Sequence, residues 1–244
     1  MLRLNNLSFS YGDDLVIDNV SLEINNNEIV AIIGKSGCGK TTLLNNCANI
    51  YGKKTEIMLN DEILDSNKQK IGLLMQDLGL LPWLNVRANC LLPYVIKKQD
   101  ITPEVEAHFQ MILQKLKIEE LVDNHINKLS GGQKQRVSLA RLFTFNPDLI
   151  LLDEAFSSLD IFSKEEAIKL FFALWQANQV PTILVTHSID EALFMAHKIV
   201  VVEKGCKILK VIDNPLFMND KYHQAVEYGS LYQDIAALIK GEWL

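Results

Sequence analysis

Two clusters in this sequence have the residue types and spacing needed to bind and attack a phosphate group. The first is Gly34–Thr41, Gly-Lys-Ser-Gly-Cys-Gly-Lys-Thr, which matches the pattern GxxxxGK[ST]. Its glycines let the backbone approach phosphate oxygens closely, and successive N–H groups can form an anion-binding nest at a helix N-terminus. The expected nucleotide contacts are Gly34, Lys35, Ser36, Gly37, Cys38, Gly39, Lys40, Thr41 and Thr42.

Three side chains of this phosphate loop have separate expected roles. Lys40 is expected to reach the β- and γ-phosphates, and the Thr41 hydroxyl to ligate Mg²⁺. Cys38 is interpreted as a small filler of the loop rather than a redox group. The loop therefore predicts binding of a nucleoside triphosphate together with a divalent cation.

The second cluster is a pair of acids, Asp153 and Glu154, directly after the apolar run Leu149–Leu152. A buried strand that ends in acids brings carboxylates to the carboxyl edge of a parallel sheet, where ligands bind in open α/β folds. We expect Asp153 to hold the Mg²⁺ shell through water, and Glu154 to polarise the attacking water as a general base. Taken alone, such a pair is commonly a solvated strand end. The phosphate loop upstream favours the catalytic interpretation.

The elements around these clusters predict an α/β fold with a parallel sheet. Glu28–Ile33 is a short apolar run that ends in glycine, as in a strand buried on both faces. Leu149–Leu152 and Thr182–Val185 are two more such runs, and Glu165–Ala177 has helical character between them. This β-α-β order implies parallel strands. A helix is expected to follow the phosphate loop.

The flanking segments predict antiparallel strands. Residues 2–24 alternate in places and contain a turn near Gly12–Asp14, so they form an N-terminal antiparallel β part. Residues 57–74 are expected to be short strands and a turn. A closing hairpin is expected over residues 198–212, with Lys204-Gly205 as its turn.

Residues 85–129 change to a charged, helical character, with Pro93 and Pro103 expected to break the helices. We expect one domain over residues 1–244. Its parts are a nucleotide-binding core of residues 1–76 and 146–213, an inserted α-helical lobe of residues 77–145, and a helical tail of residues 214–244.

Composition limits the classes of function. The formal net charge of −6 argues against general nucleic-acid binding, which needs a basic face. No run of about 18 apolar residues occurs, so a membrane role is expected to come through partners. The 4 cysteines have no CxxC spacing, which favours a reducing cytoplasm over a disulfide framework.

One further segment decides between the nucleotide-binding classes. Leu129-Ser130-Gly131-Gly132-Gln133, followed by residues 134–141, resembles the signature of the ABC ATPases, and the resemblance covers nearly the whole chain. Ser130 and two glycines open a helix, whose N–H groups and dipole favour a negative charge. The resemblance implies a head-to-tail dimer, in which Ser130, Gly131, Gly132 and Gln133 contact the ATP held by the other copy.

The same resemblance assigns roles to single residues. Tyr11 resembles the aromatic residue that stacks on adenine, although a tyrosine beside a glycine, taken alone, more often packs within a strand. Gln76 resembles the glutamine that contacts Mg²⁺ and joins the lobe to the core. The segment Ser158-Leu159-Asp160 resembles the loop that spans the dimer interface, so Asp160 is expected to contact the ATP held by the other copy. His187 resembles the histidine that contacts the γ-phosphate, although a lone histidine at a strand end is usually structural.

Two positions depart from the family pattern. Ala155 stands where proline usually follows the acidic pair, and Leu142 stands where alanine commonly follows Ala140-Arg141. Neither residue is expected to take part in the chemistry. Ala155 could loosen the turn that sets Glu154, which would affect the rate of the reaction.

The segment Gly79–Val86 resembles the corresponding segment in ATPases of the nitrate/sulfonate/taurine importers, and some importers of thiamine precursors share it. The resemblance implies an ATPase subunit at the cytoplasmic face of the membrane. A permease would dock at Leu80–Val86, and an extracytoplasmic solute-binding protein would act indirectly. An exposed apolar stretch suggests a docking surface, although Trp83 could instead pack the lobe.

Three alternatives differ in class. An exporter ATPase with separate membrane subunits is opposed by the Leu-Leu-Pro-Trp segment. A soluble ABC protein of DNA repair or translation usually has a coiled-coil insertion or two ATPase domains, and neither occurs here. A small-molecule kinase with a phosphate loop would have no reason to carry Leu-Ser-Gly-Gly-Gln.

Overall fold

The computed structural model describes residues 1–52 and 54–241, and the chain divides into two compact units. The first unit comprises Met1–Ser66, Leu151–Glu154 and Val180–Leu244, and the second comprises Asn67–Ile150 and Ala155–Gln179. None of the described helices has both the length and the apolar character that a bilayer crossing requires.

The strands and helices are numbered separately in chain order. The strands are β1 (Leu2–Tyr11), β2 (Asp14–Ile24), β3 (Ile29–Gly34), β4 (Ile57–Leu59), β5 (Glu62–Ile63), β6 (Ile71–Met75), β7 (Leu149–Asp153), β8 (Thr182–Val185), β9 (Lys198–Val202) and β10 (Ile208–Asp213). The helices are α1 (Lys40–Cys47), α2 (Val86–Ile96), α3 (Pro103–Leu116), α4 (Gly131–Thr144), α5 (Ile161–Trp175), α6 (Ile189–Met195) and α7 (Val226–Lys240). Short 3₁₀ turns lie at Glu119–Leu121, Ile126–Lys128 and Tyr222–Gln224.

The four-stranded sheet has the order β2-β1-β4-β5, and its pairs are antiparallel. Leu2, Leu4 and Leu7 of β1 and Ile17 and Val20 of β2 are buried. Strands that bury one face and expose the other are typical of antiparallel sheets. The expected N-terminal antiparallel part is therefore present.

The six-stranded sheet has the order β10-β9-β3-β8-β7-β6. β3 pairs in parallel with both β8 and β9, whereas β10 is antiparallel to β9. Every residue of β3 and of β8 is buried, as expected for strands covered on both faces. The α/β class with a central parallel sheet is therefore confirmed, and so is the closing hairpin.

The second unit contains α2, α3, α4 and α5, with α4 packed against the other three helices. Pro103 begins α3, as expected, but Pro93 lies inside α2 rather than ending a helix. An interior proline costs a helix about 3 kcal/mol. Helix α2 continues because burial of side chains including Cys90, Leu91 and Tyr94 offsets this cost.

The unit boundaries differ from the expected core of residues 1–76 and 146–213, lobe of residues 77–145 and tail of residues 214–244. The second unit also takes β6 and α5, because β6 packs on α4 and α5 packs on both α3 and α4. The tail belongs to the first unit, where α7 packs on β9 and α6 and buries Ile235 and Leu238. The end of the expected tail, residues 242–244, lies outside the described residues.

Candidate functional site

The phosphate loop connects the end of β3 to the start of α1 in the first unit. Gly39 is the N-cap of α1 with φ 109°, and a Cβ built there would lie 2.6 Å from the carbonyl oxygen of Val16. A Cβ on Gly34 would lie 2.3 Å from the carbonyl oxygen of Val202. Glycine is therefore needed at both positions, by backbone conformation at Gly39 and by close approach at both.

Lys40 is folded onto the phosphate loop and has only 8% of its surface exposed. Its Nζ donates to the carbonyl oxygens of Gly34 and Lys35, both at 2.9 Å, and lies 3.7 Å from Cys38 Sγ. A buried ammonium needs such partners. These bonds position the positive charge beneath the loop, where phosphate oxygens could replace carbonyl oxygens as acceptors.

A cleft of about 480 Å³ opens beside this loop within the first unit. It is lined by Val16, Gly34, Ser36, Gly37, Gly39, Lys40, Thr41, Thr42, Glu154 and His187. The fold thus brings the phosphate loop, one of the two expected acids and the expected histidine to one place. Val16 of β2 is a lining residue that the sequence analysis missed, and no motif marks it.

The carboxyl end of β7 supplies Asp153, which is partly buried beside Thr41. The Thr41 hydroxyl donates to Asp153 Oδ1 at 3.4 Å. Burial raises the pKa of Asp153 above its ordinary 3.8; the Thr41 bond and Lys40 act in the opposite direction, while Glu154 raises it further. A carboxylate that is disfavoured by burial and by a neighbouring acid gains most from a bound cation.

Glu154 has an unusual backbone conformation for a residue with a side chain, with φ 49°. Its N–H donates to the carbonyl oxygen of Val185, the last residue of β8, at 2.9 Å. Left-handed backbone at a non-glycine residue costs on the order of 1–3 kcal/mol and is often found at functional sites. The turn directs the carboxylate toward His187, whose Nδ1 lies 3.3 Å from Glu154 Oε2.

Lys35 and Cys38 are residues of the phosphate loop that do not line the 480 Å³ cleft. With Ser36 and Gly37 they line a second cleft of about 350 Å³, together with parts of β9, β10 and α7. Lys35 Nζ donates to the carbonyl oxygen of Lys240, the last residue of α7, at 3.1 Å. The side chain of Lys35 therefore reaches the tail helix, whereas Cys38 is buried with its Sγ near Lys40 Nζ.

Tyr11, the expected adenine contact, is 47% exposed at the end of β1. Within the described part of the chain it does not line the 480 Å³ cleft. Its ring instead packs edge-on against Phe9 and Tyr51. Tyr51 is a second residue that the sequence analysis missed.

The predicted in-trans contacts lie in the second unit. Ser130 is the N-cap of α4, and its hydroxyl and the Gln133 side chain form a reciprocal capping box. Ser130, Gly131 and Gly132 are exposed. Asp160 caps α5 through Oδ1, which accepts from the N–H groups of Phe162 and Ser163. The hydrogen bond from the Ser163 side chain, followed by the one from the Ser163 N–H, lowers the pKa of Asp160. Gln76 follows β6 and is exposed.

The metal-binding potential of the first unit rests on few ligands. The described residues contain no group of three or more His, Cys, Asp or Glu side chains that could hold a metal ion. The Thr41 hydroxyl and the Asp153 carboxylate are hard oxygen donors that lie together. Mg²⁺ keeps several waters and is usually bound through one or two protein oxygens plus substrate phosphates. The donor set fits this ion.

Comparison with known sequences identifies the family. Residues 17–157, more than half of the chain, match the family model described as ABC transporter. The chain is 36% identical over 206 residues to the taurine import ATP-binding protein TauB of Escherichia coli (strain K12), which covers 84% of this chain and 80% of that protein. TauB of Shigella dysenteriae serotype 1 (strain Sd197) has the same identity and coverage.

Solved structures agree with this family. The protein cbiO1 of Clostridium perfringens, part of the transporter complex cbiONQ, has a TM-score of 0.75 and 25% identity, covering 87% of this chain and 88% of that one. The ATP-binding cassette MJ0796, as a dimer bound to ADP and Pi, has a TM-score of 0.71 and 29% identity, covering 87% and 98%. The chain belongs to the ABC transporter family, as an ATP-hydrolysing subunit of the importer type.

Proposed function

We propose that this chain hydrolyses ATP to drive the import of a small solute of the sulfonate, taurine or nitrate class, or of the thiamine-precursor class. The observation that carries the proposal is the similarity to taurine import ATP-binding proteins over 84% of the chain. The segment Gly79–Val86, which resembles that of the same importers, supports it independently of the nucleotide site.

Nucleotide binding is proposed to use the cleft of the first unit. The triphosphate would accept bonds from the backbone of Gly34–Thr42 and from Lys40, whose bonds to loop carbonyls would be exchanged for bonds to phosphate oxygens. The α1 dipole adds to this attraction at its N-terminus. Tyr11 would stack on the base.

Mg²⁺ is proposed to be held by the Thr41 hydroxyl and the Asp153 carboxylate, with Gln76 as a further contact. When bound, the ion would neutralise charge on the phosphate oxygens. Thr41 and Asp153 already lie within hydrogen-bond distance, which supports this assignment.

Hydrolysis is proposed to depend on Glu154 and His187. Glu154 Oε2 would accept a proton from the attacking water as that water forms a bond to the γ-phosphorus, and ADP would leave with the bridging oxygen. His187 lies 3.3 Å from this carboxylate and lines the cleft, so it can orient the carboxylate and contact the γ-phosphate.

The functional unit is proposed to be a head-to-tail dimer. Ser130, Gly131, Gly132 and Gln133 would contact the nucleotide of the second copy, and Asp160 would lie at the interface. Beside Asp160, Ile161 is 75% exposed and Phe162 is 84% exposed. Large apolar side chains with this exposure favour a protein partner. ATP would drive closure because it binds the closed dimer better than the open one.

Coupling to transport is proposed to use Leu80–Val86 as the permease-docking segment. Trp83, at its centre, is 69% exposed, so it is available to a partner rather than spent on packing. The chain would then work at the cytoplasmic face of the membrane, with a solute-binding protein acting on the far side. Exporter and soluble ABC ATPases are the competing functions.

The experiment is affinity capture of the tagged chain from gently solubilised native membranes, followed by mass spectrometry. We expect to recover a polytopic permease together with a solute-binding protein, both encoded by genes next to the gene of this chain. Trp83→Glu should reduce permease recovery while ATP binding is kept. The matched control is Val226→Glu, because Val226 is also apolar and is 94% exposed.

The alternatives predict other results. Recovery of ribosomal proteins or nucleic acid without a permease would favour a soluble ABC ATPase. A permease encoded without any solute-binding protein would favour an exporter. If Trp83→Glu recovered as much permease as the wild-type chain, the assignment of Leu80–Val86 as the docking segment would be wrong, and the rest of the proposed function would stand.

A further inference from the structure

Three aromatic rings in the first unit form a cluster that no sequence motif marks. Phe9 and Tyr11 are two residues apart on β1, so their side chains share a face of the strand. Tyr51, which follows α1, stacks on Phe9 with ring centroids 4.7 Å apart and meets Tyr11 edge-on at 5.5 Å. Lys54 Nζ lies 5.1 Å from the centre of the Phe9 ring.

The cluster is also joined by hydrogen bonds through the Tyr51 hydroxyl. Asn45 Nδ2 donates to this oxygen at 3.2 Å, which leaves the phenolic proton of Tyr51 able to bond the hydroxyl of Tyr11. Asn45 is a residue of α1, the helix whose N-terminus forms the end of the phosphate loop. One side chain thus connects the expected base contact to the phosphate-binding helix.

We propose that Tyr51 is a positioning residue, which fixes the Tyr11 ring for stacking on the base of the nucleotide; this inference rests on the proposed function. Tyr11 is 47% exposed and stands beside the turn at Gly12–Asp14, so its ring would otherwise sample several rotamers. Ordering a mobile side chain weakens binding, whereas a side chain ordered in advance avoids that loss. Tyr51 orders it through ring contact and hydrogen bond.

The connection to α1 gives Tyr51 a second consequence. Stacking requires the ring to lie at a fixed distance from the phosphates, because the base and the triphosphate belong to one ligand. The bond from Asn45 ties the aromatic cluster to the element that ends the phosphate loop. Tyr51 therefore sets the spacing between the base contact and the phosphate contacts.

The test compares ATP with inorganic tripolyphosphate, which carries the phosphates without a base. In Tyr51→Phe the ring remains and both hydroxyl bonds are lost. We expect ATP binding to weaken about threefold to tenfold, the range for loss of one or two such bonds, while tripolyphosphate binding stays unchanged. KM for ATP should rise by the same factor, and kcat should be unchanged. Tyr51→Ala should have the larger effect.

Two controls separate positioning from general loss of structure. Tyr232→Phe removes a hydroxyl from a tyrosine of α7 and should change the affinity for neither ATP nor tripolyphosphate. Tyr11→Phe loses only the bond between the two hydroxyls, so it should weaken ATP binding no more than Tyr51→Phe does. The double variant should match Tyr51→Phe, because that single variant has already lost this bond. The ratio of the two affinities does not depend on the fraction of folded protein.

Two results would overturn the inference. Wild-type ATP affinity in Tyr51→Phe and Tyr51→Ala, with weakened binding in Tyr11→Ala, would reject positioning and leave the base contact intact. Equal losses for ATP and tripolyphosphate would mean that Tyr51 only supports the fold. If Tyr11→Ala also bound ATP normally, the base contact in the proposed function would itself be wrong.

Discussion

The molecule contains two predicted anion-binding turns of opposite construction. In the first unit, Gly39 begins α1 without any side-chain cap, and the buried Lys40 supplies a positive charge. In the second unit, Ser130 begins α4 inside a closed capping box with Gln133, and its turn is exposed. The described residues of that turn, Ser130–Gln133, include no cation.

The difference predicts which turn can bind phosphate without a second molecule. The phosphate loop offers N–H groups, a helix dipole and an ammonium, so we expect it to bind phosphate within one chain. In the Ser130 turn, the side chains of Ser130 and Gln133 already form hydrogen bonds within the turn. The turn therefore offers an anion only N–H groups and the helix dipole, and none of its own residues Ser130–Gln133 is positively charged. Such a turn would contribute when another molecule brings the anion to it, as the proposed dimer does.

The largest expected effect comes from Glu154→Gln. Removing a general base should lower turnover by about 10²- to 10⁴-fold, while the phosphate loop continues to bind ATP. Because ATP is then held without being hydrolysed, the variant should form a dimer with ATP, visible by light scattering. Glu166→Gln is the control, since Glu166 pairs with Arg136 in the second unit.

A wild-type rate in Glu154→Gln would reject the catalytic assignment. A variant that stays monomeric with saturating ATP would contradict the idea that the Ser130 turn needs a nucleotide from a second copy.

Ser130→Ala tests the second turn directly. Loss of a hydrogen bond to a charged group should reduce turnover about tenfold to a hundredfold, with ATP affinity of the monomer unchanged. The control is Thr102→Ala, which removes the N-cap of α3, a helix with no expected nucleotide contact. If both variants lose the same fraction of the activity, the loss comes from the removed helix caps, each of which stabilises its helix by about 1 kcal/mol.

A pair of glycine substitutions sharpens the comparison in terms of stability. Gly39→Ala places a Cβ 2.6 Å from a backbone oxygen at φ 109°, so it should lower the free energy of unfolding by about 1–3 kcal/mol. A Cβ on Gly131 meets nothing within 4 Å, and Gly131→Ala should be neutral or stabilise by up to about 1 kcal/mol. Urea denaturation measures both. Equal destabilisation would mean that the two turns are under similar strain.

The smallest expected effect concerns acid stability. Hydrogen bonds from Arg87, then Gln110, lower the pKa of Glu106 in the second unit to about 2 from 4.5. Because the folded value is depressed, this carboxylate stabilises the fold fully above pH 4.5, and the contribution is lost as the pH falls toward 2. Asp153 in the first unit behaves oppositely, since its raised pKa makes its protonation favour the folded state.

Glu106→Gln should therefore cost up to about 1 kcal/mol at neutral pH, a value limited by solvent screening because Arg87 is 41% exposed and Glu106 33%. The difference from wild type should shrink as the pH falls below 4.5. Denaturation at several pH values measures it, with Glu23→Gln, in a surface pair with Arg3, as the control. A difference that is independent of pH would exclude the ion pair as its source.

The sequence was sufficient to predict the fold class, the strand–loop–helix around Gly34–Thr41 and the strands that end at Asp153 and Val185. These features follow from local patterns, namely apolar runs, glycines and acids at strand ends. The cleft that joins the phosphate loop, Glu154 and His187 follows from the order of parallel strands. All of them depend on neighbours in the sequence or on one topological rule.

The remaining features depend on contacts between distant parts of the chain. Tyr51 bonds Tyr11 across 40 positions, and no spacing rule relates a turn after a helix to a strand end. Pro93 remains inside α2 because burial outweighs a local preference. Helix α5 joins the second unit because its apolar face packs on α3 and α4, which its sequence alone could not show.

The bond from Lys35 to the carbonyl of Lys240 spans 205 positions and joins the earliest motif to the last described helix. During synthesis, residues 29–42 leave the ribosome long before β7, β8 and α7 exist. The nascent chain therefore carries a phosphate loop before the two strands that pair with β3 have been made. The loop can take its place in the sheet only after residues 182–202 have emerged, so the order of synthesis delays the assembly of the phosphate-binding site.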